Sequence, residues 1–294
     1  MSGRPEPDAG AGRFRHGVRL VLRVNRWRWR RTRRKVVVML IDHLPLYGLR
    51  VTPGDLELRL PVGEELAALA EVAAGGVHAA DHMPFLVPWT VGAPEAVARS
   101  VLQHHWRLLS AFEPHRWTLP LVVFRDGRPV GIQSMRGVDF AVTGEVDSGS
   151  WLGRAHQGGG VGTRMRAAML HLAFEGLGAV TATSGAFSDN PRSRRVSEKL
   201  GYRPDGLERV ARDGAVGVIE RLRLDRADWR PGRFGEVRVE GLPGCRDMFG
   251  VAVPGSRPGA AHEFRTAAHT TPVDCRGVRS VTGAADRAVD RYTP

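Results

Sequence analysis

The chain has 294 residues, 42% of them hydrophobic, a formal net charge of +12 and two cysteines. That hydrophobic share supports a sizeable core and excludes wholesale disorder. Cys245 and Cys275 form neither a CxxC pair nor a disulfide framework, which fits a reducing, cytoplasmic setting, and no apolar run is long enough to cross a bilayer.

The charge is unevenly placed. Residues 1–35 hold twelve Lys/Arg against two acids, Glu6 and Asp8. The remainder is close to neutral, so the net charge does not mark the folded part as a nucleic-acid binder. Trp27 and Trp29 alternate with Arg26, Arg28 and Arg30. A phosphate-binding arm confined to residues 13–35 is the one route to nucleic acid. Weak patterning favours a disordered basic extension over 1–38, and Met39, where patterned sequence begins, is an alternative start. Only Lys35 and Lys199 are lysines, a bias of GC-rich coding rather than of chemistry.

From residue 39 to 250 the pattern predicts one α/β domain. Asp55–Leu60 alternates polar and apolar, as a half-buried strand does. Glu64–Ala74 carries Leu66, Leu69, Ala70 and Val72 at helical spacing. Pro94 opens a second helix, with Val97, Val101, Leu102, Trp106 and Leu109 expected on its buried face. Thr118–Phe124 and Val130–Met135 flank Asp126-Gly127 and predict a hairpin. Val138–Val146 and Ser150–Leu152 are expected to continue the sheet. Val161–Leu177 predicts a helix ended by Gly178, and Ala179–Thr183 a short strand. Asn190-Pro191 starts a helix that runs through Leu200 to Gly201. Tyr202–Arg209 and Val216–Leu224 predict a last hairpin, and Val237–Val239 one further strand. Residues 251–294 are polar, rich in Gly, Pro and Thr, and read as a disordered tail.

The sharpest signal is Gln157-Gly158-Gly159-Gly160-Val161-Gly162-Thr163, lying between a strand and a helix. Glycines let backbone N–H groups point into one concavity. A helix N-terminus adds unsatisfied donors and a positive dipole end, so the turn suits a diphosphate. A P-loop would need lysine before Thr163, and a dinucleotide fingerprint would need glycine at Thr163. The pattern Q/R-x-x-G-x-G/A is filled by Gln157, Gly160 and Gly162. Asn190 follows 27 residues past Thr163 and opens Asn190-Pro191-Arg192-Ser193, ending at Leu200-Gly201-Tyr202. On these two motifs the chain resembles the GNAT superfamily of acetyl-CoA-dependent N-acetyltransferases, nearest its RimJ/RimL-like branch, over roughly residues 45–228.

The resemblance implies an α+β fold with a mixed, mostly antiparallel sheet flanked by helices, and a V-shaped splay between two parallel strands. It implies acetyl-CoA as cosubstrate, held at Trp151, Leu152, Gly153, Gln157, Gly158, Gly159, Gly160, Val161, Gly162, Thr163, Asn190 and Ser193. The walls of the notch would be Ser150–Gly153 and Thr181–Gly185. The implied reaction is direct attack of a primary amine on the thioester, with no metal. Ser193 matches the serine that protonates the departing thiolate in the RimL branch, and many relatives carry a tyrosine at Ser197. Asp147, before the Gly149-Ser150-Trp151 strand, is the candidate base; a surface serine and a solvated carboxylate are the competing readings of Ser193 and Asp147. Arg212 lies near the place where some relatives carry a glutamate base. His78 to Phe85 would wall the acceptor pocket; His78, Asp81 and His82 lack the further ligands a zinc site needs. The acceptor stays open among a protein N-terminus, an amino acid, an antibiotic amine and a polyamine, as does homodimerisation; no membrane partner is expected. The competing functional classes are a non-catalytic CoA-binding sensor and a nucleic-acid-associated protein using the basic arm.

Overall fold

Alternation and glycine punctuation lay down nine strands among the described residues. They are β1 (Arg50–Pro53), β2 (Leu56–Arg59), β3 (Arg116–Arg125), β4 (Arg128–Val138), β5 (Glu145–Leu152), β6 (Thr181–Phe187), β7 (Arg203–Arg212), β8 (Ala215–Asp225) and β9 (Val237–Glu240). In the computed structural model, which describes residues 39–251, these form one sheet in the order β7-β8-β6-β5-β4-β3-β2-β1-β9. The expectations for 1–38, including a nucleic-acid arm at 13–35, and for the tail past residue 251 lie outside the described residues.

Every neighbouring pair is antiparallel except β5 and β6. A parallel pair needs a crossover, and α5 (Val161–His171) supplies it. The other helices are α1 (Leu40–His43), α2 (Glu65–Ala74), α3 (Pro94–Ser110), α4 (Phe140–Thr143), α6 (Pro191–Leu200) and α7 (Leu242–Cys245).

The two-residue period of β3 divides the core. Trp117, Leu119, Leu121 and Val123 belong to the cluster shared with α5. Val122 and Phe124 belong to the cluster formed with α2 and α3, which also holds Ile132 and Trp151. The sheet is therefore covered on both faces, and each buried Leu, Ile or Val contributes about 1.5–3 kcal/mol. Pro120 sits inside β3 without disrupting a ladder on both sides, because β2 pairs with β3 only at Val122–Arg125.

Three expectations are corrected. Trp106 is 58% exposed, and His105 takes its place in the core. Strict i, i+4 spacing runs Val97, Val101, His105, and Trp106 lies about 100° off that line. Burial lowers the His105 pKa to about 4, so its ring is neutral. The stretch Val138–Val146 is not one strand: Asp139 takes φ 47°, α4 follows, and β5 begins after Gly144. The helix expected to run to Leu177 leaves α geometry at Leu172 and makes a π turn over Leu172–Leu177. Arginines accept the displaced load: Arg226 donates to the Phe174 carbonyl, and Arg246 Nη1 to that of Gly176 at 2.6 Å.

Candidate active site

The site begins where the two parallel strands part. β5 and β6 pair at Glu145↔Thr181, Val146↔Ala182, Asp147↔Thr183 and Ser148↔Ser184, and their ladder stops there. Beyond this point each strand keeps only its outer neighbour. β5 stays on β4 as far as Leu152↔Gly131, and β6 stays on β8 as far as Phe187↔Ile219. The two arms thus form a fork with inward-facing backbone edges: Gly149–Leu152 is one wall, near the expected Ser150–Gly153, but the other is Gly185–Phe187 and not Thr181–Gly185, because Thr181–Ser184 are still paired with β5. A cleft of ≈ 1210 Å³ opens from this fork, ample for an extended ligand.

The glycine turn stands at its mouth. Gly158 and Gly160 take φ 84° and 76°, backbone that side-chain-bearing residues rarely adopt. Gly160 is the N-cap of α5, and the first helical bond runs from Arg164 N–H to its carbonyl. The N–H groups of Val161, Gly162 and Thr163 therefore have no intrahelical acceptor. Arg154, Arg192, Arg195 and Lys199 are among the cations that line the cleft. Donors without acceptors plus excess positive charge fit the diphosphate end of coenzyme A.

Of the residues assigned to the donor, Trp151, Leu152, Gln157, Gly158, Gly160, Gly162, Thr163, Asn190 and Ser193 line the cleft. Gly153, Gly159 and Val161 do not. Val161 is buried in the core. At Gly153 a Cβ would press on Val72 at 2.5 Å, so this glycine permits α2 to pack close.

Gln157 does more than begin a pattern. Its Nε2 donates to the carbonyls of Val77 at 2.6 Å and Leu152 at 2.8 Å, and its Oε1 accepts from Arg192 Nη1 at 3.3 Å. It ties the end of β5 to the loop after α2 and to the first turn of α6. Exchanging Gln157 for Glu replaces a double donor with an anion facing two carbonyls. The expected cost is about 2–3 kcal/mol, seen as a fall of about 5–10 °C in the midpoint of thermal unfolding followed by circular dichroism. An unchanged midpoint would show that these bonds contribute nothing.

Strand alternation puts Asp147 and Trp151 on the α2–α3 face, and Val146, Ser148, Ser150 and Leu152 on the α5 face. Asp147 lines the cleft, accepts from Thr183 Oγ1 at 3.2 Å, and stands opposite Arg136 in the β4–β5 register. Ser193 is half-buried in the first turn of α6. Its N–H donates to Asn190 Oδ1 at 3.2 Å, so Asn190 caps the helix. Asp147, on the paired part of β5 just below the fork, and Ser193, on the first turn of α6 after β6, thus line one cleft.

The far part of the cleft is walled by His78, His82, Phe85, His104, Arg107 and Arg136, among others. His78 is committed to local bonds: Nδ1 lies 2.8 Å from the Ala79 carbonyl and Nε2 2.6 Å from Thr90 Oγ1. Burial lowers the pKa of His104 to about 4, aided by Arg107. It is therefore an uncharged wall. Arg212 is a clasp, not a base. It donates to both Asp189 oxygens and to the Met83 carbonyl, and lies 4.1 Å over the Phe187 ring. Its hydrogen bonds hold the Asp189 carboxyl below the usual range.

Sequence reasoning missed Arg166. This α5 residue is buried beneath the fork and also lines the cleft. The helical wheel carried the signal, since Arg166 shares a face with Gly162, Met169 and Ala173.

A family model described as the acetyltransferase (GNAT) domain matches residues 55–203, just over half of the chain. Among solved structures, the RimL ribosomal L7/L12 alpha-N-protein acetyltransferase in complex with coenzyme A is 17% identical; the match covers 60% of this chain and 97% of that one, with a TM-score of 0.49. Mycobacterium smegmatis RimJ in complex with CoA-disulfide is 19% identical, with 67% and 91% covered and a TM-score of 0.48. The ribosomal-protein-S5-alanine acetyltransferase from Vibrio fischeri is 17% identical, with 62% and 99% covered and a TM-score of 0.48.

Proposed function

The chain belongs to the GNAT acetyltransferase family, and on that premise we propose that it is an N-acetyltransferase carrying acetyl from acetyl-CoA to a primary amine by direct attack. The observation that carries this reading is the fork beyond Ser148↔Ser184, with the glycine turn at its mouth and one cleft joining them.

The donor supplies an acetyl group activated as a thioester. The chain's part is to hold and aim it. N–H groups of the turn and the flanking cations receive the diphosphate. The free edges of β5 and β6 accept the pantetheine arm as an added strand would. Most of the rate enhancement then comes from proximity and from backbone N–H groups polarising the carbonyl.

The amine must arrive uncharged. In this reading Asp147, or a water it holds, takes the amine proton, the new C–N bond forms, and the C–S bond breaks. The thiolate takes up a proton, for which the Ser193 hydroxyl, on the first turn of α6 at the cleft wall, is the candidate donor. The wall of imidazoles and arginines between α2 and β4 would receive the acceptor.

Purified protein should release free thiol from acetyl-CoA when supplied with a panel of primary amines that includes peptide N-termini, amino acids and polyamines. Acetylated product should appear in equal amount. Tight coenzyme A binding with no turnover across the panel would replace the enzyme reading with that of a CoA-binding sensor.

A further inference from the structure

Arg166 carries its charge where charge is costly. It projects from α5 and is 4% exposed. Burial disfavours its charged form, and nearby Tyr202 and Asp147 act in the opposite sense. Its hydrogen bonds go to three hydroxyls on three elements. Nη2 donates to Ser150 Oγ on β5 at 3.0 Å. Nη1 donates to Ser197 Oγ on α6 at 2.8 Å and to Ser184 Oγ on β6 at 3.5 Å. Nε has no protein partner among the described residues. A cation held by neutral hydroxyls gains little net stability over an apolar side chain of similar volume. A positional role gives such an arrangement its purpose.

The place of those hydroxyls supplies that role. Ser184 is in the last paired rung of the β5–β6 ladder, and Ser150 lies two residues past its partner rung, on the separated arm. Both arms remain extended beyond the fork, Gly149–Leu152 on one side and Gly185–Phe187 on the other. Pairing with β4 and with β8 holds the outer edge of each arm, and a tie that spans the two strands at the base of the fork would set the distance between their inner edges. The planar guanidinium reaches the β5 arm at Ser150, the last rung on β6 at Ser184 and, through Ser197, the helix that carries Asn190 and Ser193.

We propose that Arg166 is a positioning residue: it spans the base of the fork, sets the separation of the β5 and β6 arms, and so fixes the seat of the donor's pantetheine arm. The proposal rests on the acetyl-CoA reading of the cleft. Lysine keeps the charge but cannot reach three hydroxyls in a planar fork. Arg166→Lys should therefore let the arms shift while the glycine turn, on the other end of the donor, stays as it is.

The test compares two ligands by isothermal titration calorimetry on the full chain. One is acetyl-CoA. The other is 3′-phospho-ADP, the donor's nucleotide part without pantetheine. Arg166→Lys should weaken acetyl-CoA about tenfold and leave 3′-phospho-ADP within about twofold of wild type. Ser150→Ala should shift the two ligands in the same unequal way, and its combination with Arg166→Lys should lose less than the sum of the two. A variant that loses both ligands in parallel, or neither, overturns the proposal. If Arg166→Lys does not fold, Ser150→Ala and Ser184→Ala carry the same comparison with the same two outcomes. Wild-type protein that binds 3′-phospho-ADP but gains nothing from acetyl-CoA overturns the proposal and spares the turn. Wild-type protein that binds neither overturns the donor reading and the proposal together.

Discussion

Exchanging Gly160 for aspartate is expected to remove most donor affinity from a protein that still folds. A Cβ at Gly160 meets nothing within 4 Å, so no clash opposes the change. The φ of 76° costs about 1 kcal/mol for a residue with a side chain, least for Asp and Asn. A carboxylate at the N-cap of α5 regains about 0.5–1 kcal/mol from the helix dipole. The net change in stability is small, and the unfolding midpoint should move by no more than about 4 °C. Binding fares differently. The new carboxylate occupies the N–H donors that the diphosphate needs and repels its charges. At about 5 Å and an effective dielectric of 40–80, each pair of like charges costs about 1–2 kcal/mol. Two such pairs plus the lost donors weaken acetyl-CoA about 10²- to 10³-fold in titration calorimetry. Gly127→Asp is the control. Gly127 has a similar φ of 71° and equally open surroundings, but it sits in the β3–β4 turn away from the cleft. It should match the strain and leave affinity intact. Equal affinity in both variants would remove the glycine turn from the donor site.

Local chemistry made much of this molecule legible in advance. The turn after β5 was readable because its seven residues need glycine for a reason that does not depend on distant contacts. The last core helix was readable because Asn190-Pro191 and Gly201 are start and stop signals in themselves. Strand order was not readable from periodicity. A two-residue period says that Val237–Val239 is a strand, but not that it pairs with β1 at the far edge. The Trp106 error has the same root: weight of apolar character favoured the tryptophan, whereas i, i+4 geometry placed His105 inward. Arg166 and Gln157 show the limit more sharply. Both act through partners remote in sequence, Ser184 and Ser197 for one and Val77 for the other. The tertiary fold brings those groups together, and no window of sequence contains them. The π turn is similar, since the arginines that satisfy its carbonyls come from residues 226 and 246.

Gly131→Ala is expected to be among the most damaging single-methyl changes, and its effect should reach the site. Gly131 is in β4, directly opposite Leu152 at the end of β5. A Cβ there would meet the Trp151 carbonyl oxygen at closer than any van der Waals contact, with Leu152 Cδ2 at 2.8 Å and Leu152 Cα at 2.9 Å. Two of these three atoms are backbone, so no rotamer change relieves the overlap. The strand must move instead. Overpacking of this kind costs about 1–3 kcal/mol, and separation of the β4–β5 ladder adds about 1 kcal/mol for each hydrogen bond lost. A total of about 4 kcal/mol corresponds to a fall of about 8–16 °C in the unfolding midpoint for a domain of this size. The displaced segment, Trp151–Leu152, is one arm of the fork, and the Leu152 carbonyl is an anchor of Gln157. Folded Gly131→Ala protein, assayed below its lowered midpoint, should therefore bind acetyl-CoA about tenfold more weakly. Gly149→Ala, in β5 with open space around its Cβ, should lose far less stability. Equal midpoints for the two variants would mean that β4 and β5 can part at that rung without cost, and pairing with β4 would then have no part in holding the β5 arm.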